Sequence, residues 1–285
     1  MGRINNKILY TVYIIGITIF FLYYLFPSAI IKDFLLSKVD QMAPGVTVTL
    51  RDVNPAFPIG LRFSDINIQE NGVSYLDAEK LIVTPSILSL FAGKIAFDLD
   101  CDAYSGNLAA TIGIAGKTLE INTADVALRH LQLGDIAMLK ERMPHQLSGA
   151  LNGRLLYDRE ADGNTIKGDL VVSDFTIGFS PPLHGLDKLS LQKLETNFES
   201  DRRKITVAKL ANKGGDVDGS ISGTILIRKN IEKSMLQLNG TLLPNPVLTE
   251  RLGKLGPLVK QFMKKGSGDG FPIKLQGTLD RPRFF

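Results

Sequence analysis

The feature that most constrains this chain is an uncharged, apolar run near its start, Ile8–Ile31. The run holds 24 residues and is bounded by Lys7 on one side and by Lys32 and Asp33 on the other. A helix that crosses the hydrocarbon of a bilayer needs about 20 apolar residues. The run therefore predicts one N-terminal transmembrane helix over residues 8–31, preceded by a tail over 1–7. A cleaved signal peptide is disfavoured, because the run is too long and no Ala-x-Ala site follows it.

The residues beside this run indicate its orientation. Arg3 and Lys7 precede it without an acidic residue, and the leading tail is very short. These features favour a cytoplasmic N-terminus, with the bulk of the chain on the other side of the membrane. Pro27 is expected to end or kink the helix near its outer end. Residues 32–44 then predict a juxtamembrane amphipathic segment that Ala43–Gly45 stops.

Beyond Gly45 the apolar period changes from 3.6 to 2, which is the period of β-strands. Alternating runs follow one another with short turns, and this pattern predicts an antiparallel meander over residues 45–285. The meander forms either one elongated domain or two halves, 45–145 and 146–285. Helical interruptions are predicted at 85–92, 133–142 and 246–265, and a loop is predicted at 179–185. The predicted fold class is therefore mainly β: an elongated, curved antiparallel sheet or half-barrel with a few short helices, preceded by one transmembrane helix.

The second half repeats one pattern, in which glycines stand among apolar residues at alternate positions. Residues 147–158 and 217–228 carry it at full length, and 236–242 and 273–279 carry shorter copies. A glycine on the apolar side of a strand leaves a gap there, so the repeats predict a curved sheet with one apolar concave face. We predict a narrow groove on that face; the alternative is that the same side chains close on one another as a sandwich core. The residues predicted to line it are Leu151, Leu155, Ile221, Ile225, Leu238, Leu242, Leu275 and Leu279.

Composition and motifs argue against catalysis and against nucleic-acid binding. The net charge is only +4, and no Lys/Arg block is interleaved with aromatic residues. Cys101 is the one cysteine, so the chain has no internal disulfide and no cysteine metal site. The histidines at 130, 145 and 184 have no metal-ligand spacing, and the aspartates at 98, 100 and 102 are predicted to form a polar strand face rather than a cation site. We therefore predict no catalytic, cofactor-binding or metal-binding residue, and no enzyme activity.

Several stretches together resemble a known family. They are the membrane run, residues 54–63 (NPAFPIGLRF), the glycine-punctuated strands and the closing residues 271–284 (FPIKLQGTLDRPRF). This order is similar to the type II secretion system protein N (GspN) family of Gram-negative bacteria, which is related to AsmA-like periplasmic proteins. The resemblance implies a single-pass bacterial inner-membrane protein whose AsmA-like β-rich domain lies in the periplasm and is associated with protein export. AsmA-like proteins are in turn similar to bridge-like lipid-transfer proteins, whose trough-shaped sheets carry acyl chains.

Two functions follow as predictions. In the first, the chain is a non-catalytic component of the type II secretion system that contacts other secretion-system or envelope proteins through strand edges or its outer face. In the second, its apolar face binds or transfers phospholipid or acyl chains between the two membranes. Both predictions include the inner membrane as a partner, and neither includes nucleic acid.

Overall fold

The computed structural model describes residues 6–70, 72–91, 93, 95–115, 120–143, 145–160, 163–183, 186–230, 233–252, 270–279 and 281–284. Within these residues all fifteen strands belong to one antiparallel sheet. Helices are few, and most of those that interrupt the strands are a single turn or two. The prediction of a mainly β chain with one large antiparallel sheet and a few short helices is therefore confirmed.

Two helices precede the sheet. Helix α1 is Asn6–Tyr24 and helix α2 is Ser28–Met42, and the chain breaks between them at Leu25–Pro27. The break agrees with the effect expected of Pro27, and it divides the uncharged run between the two helices. In the described part of the chain, no helix combines the length and the apolarity that a membrane crossing requires. Helix α2 lies along the first two strands, where the Lys32 ammonium donates to the Arg51 carbonyl at 2.9 Å.

The strands follow α2 with short connections. They are β1 Val46–Thr49, β2 Asp52–Pro55, β3 Leu61–Glu70, β4 Val73–Pro85, β5 Ile95–Ala103, β6 Gly106–Ile114, β7 Ile121–Gln132, β8 Gln146–Glu160, β9 Gly163–Leu183, β10 Leu186–Ser200, β11 Lys204–Asn212, β12 Val217–Leu226, β13 Met235–Pro244, β14 Phe271–Thr278 and β15 Arg281–Phe284. Helix α3, Ile87–Phe91, joins β4 to β5. A 3₁₀ turn, Leu133–Asp135, and helix α4, Ala137–Arg142, join β7 to β8, and helix α5, Pro246–Arg251, follows β13.

Each strand from β3 to β14 pairs with the strand that precedes it and the strand that follows it. The two first strands share β3: β1 pairs with its far half, Thr47 opposite Gln69, and β2 with its near half, Val53 opposite Phe63. The predicted meander is thus the observed topology. Strands on both sides of residue 145 belong to the same sheet.

Some predicted boundaries were wrong. The stretch after Phe179 was predicted as a loop, but β9 continues to Leu183. Strand β7 begins at Ile121 and continues to Gln132. The predicted helix 246–265 is described only as α5, and the rest of it falls almost entirely outside the described residues.

A compact cluster of buried side chains lies in the first strands, and single buried residues such as Leu236 and Ile273 lie in later ones. Ile66, Ala78, Cys101 and Ala103 form a buried cluster across β3–β5, against which Phe63 and other partly buried side chains pack. Helix α4 contacts both β4 and β8. Only sixteen apolar side chains of the described residues are buried, because a single sheet has no second layer to cover its face. Most apolar side chains of the later strands are consequently half-buried.

Candidate functional site

The apolar side chains of successive strands line up into rows that run across the sheet. Residues directly opposite each other in paired strands place their side chains on the same face. Following these pairs from β3 to β14 gives a central row made only of aliphatic, aromatic and glycine residues. Its members are Leu61, Val83, Leu99, Ala110, Val126, Leu155, Gly168, Phe198, Val207, Gly223, Leu238 and Leu275.

A second row lies on each side of the central row, on the same face of the sheet. One flanking row is Phe63, Leu81, Cys101, Leu108, Leu128, Gly153, Leu170, Thr196, Leu210, Ile221, Gly240 and Ile273. The other is Pro85, Phe97, Ile112, Ala124, Tyr157, Ile166, Ser200, Ile205, Ile225, Leu236 and Gly277. We call these three rows the apolar face. Only Thr196, Ser200 and the Tyr157 hydroxyl interrupt it with a polar group.

The apolar face is long, and solvent reaches much of it. Eleven inter-strand steps separate β3 from β14, which corresponds to about 53 Å along the sheet at about 4.8 Å per step. Nine of the twelve central-row residues are half-buried, and only Ala110, Gly168 and Leu238 are buried. The described part of the chain holds no second sheet that could pack on this face. An apolar surface of this extent normally meets a ligand, a partner or a membrane.

The eight residues that the sequence singled out lie on β8 (Leu151, Leu155), β12 (Ile221, Ile225), β13 (Leu238, Leu242) and β14 (Leu275), and just after β14 (Leu279). The residues on β12–β14 come together: Leu238 is directly opposite Leu275, and Ile221 is opposite Gly240. The two leucines of β8 share their face but are separated from them by β9, β10 and β11. Leu279 is 44 % exposed and follows Thr278, the last residue of β14. That these residues bind a ligand stays a prediction.

Sequence reasoning missed the part of the apolar face in the first half of the sheet. Leu61, Val83, Leu99 and Val126 extend the central row as far as β3. Alternation in β3–β7 was visible, but the predicted groove was restricted to the glycine repeats. The missing signal was the register between strands, which joins separate alternating runs into one row.

Four glycines of the repeats, at 149, 153, 223 and 277, hold backbone conformations that other residues rarely adopt. Gly153 has φ +150° and Gly223 has φ +144°. A Cβ on Gly223 would collide with the backbone of β13. It would lie 2.9 Å from the Leu238 Cα and closer still to the Gln237 carbonyl oxygen. The glycines therefore allow neighbouring strands to approach closely on the apolar face, which is a more specific role than the gap predicted from sequence.

The opposite face of the sheet is polar and carries ion pairs between strands. The Lys80 ammonium lies 2.6 Å from Asp102, and Asn107 donates to the same carboxylate at 3.0 Å. These hydrogen bonds, that from Lys80 first, lower the pKa of Asp102. On the next strands Arg154 pairs with Asp125 and lowers the pKa of that carboxyl in the same way. This face therefore suits contact with water.

The remaining acids of β5 are also held by neighbours. Asp98 accepts a hydrogen bond from the Thr111 hydroxyl at 2.7 Å, and Asp100 accepts one from Asn107 at 3.2 Å. Within the described residues, no three histidine, cysteine or acidic side chains are grouped so that they could hold a metal ion. The aspartates at 98, 100 and 102 lie on one polar, hydrogen-bonded face of β5.

The other residues weighed as chemical candidates lie apart. Cys101 is 4 % exposed, and its burial, with smaller effects from Asp102 and Asp100, raises the pKa of its thiol to about 11. His130 lies in an irregularity of β7, where its backbone N–H donates to the Asn152 side chain at 2.9 Å. His145 packs edge-on against Phe179 at the start of β8. His184 is outside the described residues.

Comparison of the chain with protein-family models, with curated proteins and with solved structures found no match. The resemblance to the GspN family therefore stays a prediction from the residues. Among the described residues, the apolar face is the most extended surface feature of the sheet.

Proposed function

We propose that this chain is a non-catalytic, membrane-attached protein that holds the acyl chains of phospholipids along its apolar face. The observation that carries the proposal is the unbroken central row from Leu61 to Leu275, most of which is only half-buried. Leaving so much apolar surface in water is unfavourable, at roughly 25 cal/mol per Å². An acyl chain removes that surface from water without requiring any directed polar contact.

The dimensions of the face suit such a ligand. One leaflet of a bilayer has a hydrocarbon thickness of about 15 Å, half of the whole core. The row of about 53 Å is more than three such lengths, so it accommodates several acyl chains in succession. The glycines at 168 and 223 add no side chain to the central row, and the Phe198 ring packs against the backbone at Gly168. The polar opposite face, with its ion pairs, stays in water.

Attachment to a membrane is part of the proposal and is supported by the N-terminal segment. The run Ile8–Ile31 has no charge, and α1 exposes large apolar side chains such as Tyr10, Ile14 and Phe20, each at least 60 % exposed. These side chains have no protein cover, so lipid is their natural surrounding. We place the chain at the bacterial inner membrane with the sheet on the periplasmic side, in accordance with the charges that precede the run.

A photo-crosslinking pair on one strand tests the lipid proposal. Leu238 lies on the apolar face and is 8 % exposed, whereas its neighbour Gln237 is on the polar face. The photoreactive residue p-benzoylphenylalanine is introduced at each position of the full chain in cells that contain radiolabelled phospholipid. We expect a labelled lipid adduct at position 238 and none at 237, because successive strand residues point to opposite faces.

The control keeps expression, membrane and illumination the same in both variants. A second pair, Ile225 and Thr224 on β12, repeats the comparison one strand away. Equal labelling within each pair, or no labelling in either, would show that the apolar face does not carry lipid.

The secretion-system function stays a second candidate, favoured by the free end of the sheet. Strand β15 is four residues long and pairs with β14 on one side, and no described strand pairs with its other side. An unpaired edge accepts a strand from another protein. Benzoylphenylalanine at Arg283 tests this candidate. A protein adduct that disappears in variants that have also lost secretion supports it. The absence of any protein adduct at 283, together with a lipid adduct at 238, argues against it.

A further inference from the structure

Two turns at one end of the first strands expose large apolar side chains. Residues 56–60 join β2 to β3 and expose Phe57 at 77 % and Ile59 at 71 %. Helix α3, which joins β4 to β5, exposes Ile87 at 55 % and Phe91 at 88 %. Residues 56–60 and 87–91 contain no charged residue, and Lys94 follows the second of these segments in the sequence. We call these four side chains the apolar tips.

The apolar tips are neighbours in space. The register places Leu61, which follows the first turn, opposite Val83, two residues before the end of β4. Ile95, which follows the second turn, pairs with Ile114, and Ile114 pairs with Ile121 at the start of β7. Ile95 and Ile121 are themselves 42 % and 46 % exposed. From β3 to β7 is four inter-strand steps, so this exposed apolar surface is about 20 Å wide.

The same end of the sheet receives the N-terminal helices. The Ser28 hydroxyl at the start of α2 donates to the Asn54 side chain at 3.4 Å, and Asn54 lies two residues before the first turn. Lys32, one helical turn later, reaches the Arg51 carbonyl. The start of α2 therefore lies near the first of the two turns that carry the apolar tips. Arg62 on β3 is exposed near them, where a cation meets anionic headgroups favourably.

We infer that the apolar tips dock into the lipid surface to which the N-terminal segment attaches. The inference rests on the proposed membrane attachment and adds a second point of contact. Uncharged aromatic and branched side chains beside a basic residue are the composition that inserts at the boundary between headgroups and acyl chains. Two separated contacts fix the β3 end of the apolar face against the bilayer. An acyl chain then passes from the leaflet to the first row residues without crossing water.

The sequence contains no tryptophan, so a single introduced tryptophan is a clean reporter. Phe57→Trp and Phe91→Trp are made separately in the full chain, which is reconstituted into vesicles of phosphatidylethanolamine and phosphatidylglycerol with or without doxyl-labelled lipid. Val247→Trp is the matched control, since Val247 is 58 % exposed on α5, ten strands further along the sheet. We expect doxyl lipid to quench both tip tryptophans at least about twofold more than the control, because only the tips enter the lipid.

Two outcomes overturn the inference. The first is quenching at positions 57 and 91 no stronger than at 247. The second is a blue shift of the tip tryptophans in lipid-free detergent that grows with protein concentration, since that assigns the surface to contact between copies of this chain. The lipid adduct at Leu238 is read separately. Adducts without quenching refute the docking alone, and quenching without adducts refutes lipid carrying alone.

Discussion

Replacing Gly223 with alanine tests whether the glycines of the repeats set the close approach of strands on the apolar face. At φ +144° an alanine is strained by about 1–3 kcal/mol. Its Cβ also meets the β13 backbone at 2.9 Å or less, and overpacking of this kind costs typically about 1–3 kcal/mol. Alanine restricts the unfolded chain and returns about 0.4–1 kcal/mol. We therefore expect Gly223→Ala to lower the free energy of unfolding by about 1–6 kcal/mol.

The assay is urea denaturation of the full chain in mild detergent, followed by the far-ultraviolet circular dichroism of the sheet. Ser222→Ala is the matched control, because Ser222 is the preceding residue, is exposed and has no unusual φ. A substitution at such a surface position changes stability by about 0.5 kcal/mol or less. If Gly223→Ala differs from Ser222→Ala by less than about 1 kcal/mol at equal m-value, the backbone at Gly223 is not constrained as we describe.

Three further predictions concern side chains. Because Lys80 lowers the pKa of Asp102, this ion pair stabilises the fold above the unfolded pKa of about 3.9, and the stabilisation is lost as the pH falls through the lower folded pKa. Lys80→Met should therefore lower the free energy of unfolding by about 0.5 kcal/mol at pH 7 and leave it unchanged near pH 2, as measured by denaturation at both pH values. Cys101, with its pKa of about 11, should be alkylated by iodoacetamide at pH 8 at least about 200-fold more slowly in the folded chain than in urea. Arg251→Ala should cost about 1–3 kcal/mol of unfolding free energy, because it leaves the mostly buried Asp216 carboxylate without its 2.9 Å partner; a loss below about 0.5 kcal/mol would contradict this.

Alternation and turn residues were sufficient to predict the meander, because each strand pairs with its neighbours in sequence. They failed where the period of 2 is interrupted. In β7, Ala124, Val126 and Leu128 alternate correctly, but the bulge that contains His130, with φ +54°, shifts the next apolar residue to Leu131. A bulge adds one residue without ending the strand. The alternation of apolar residues therefore stops at Leu128, although β7 itself continues.

The extent of the apolar face was harder to predict than the strands. A residue such as Val126 has an ordinary alternating pattern, and nothing local shows that it lies between Ala110 and Leu155. That relation depends on register, which is set over whole strands. The two prolines at 181 and 182 favoured a loop, yet they lie among the last four residues of β9. The continuous pairing of β9 with β10 ends before them, at Gly178, so neither proline interrupts it.

The pairing of strands only with their sequence neighbours has a consequence for how such a chain changes in evolution. Removing or duplicating one hairpin, such as β9 with β10, leaves every other pair of strands intact and alters the length of the sheet by about 10 Å. The reach of the protein away from its N-terminal helices is therefore a modular property, adjustable by insertion or deletion of about 35 residues without redesign of the rest.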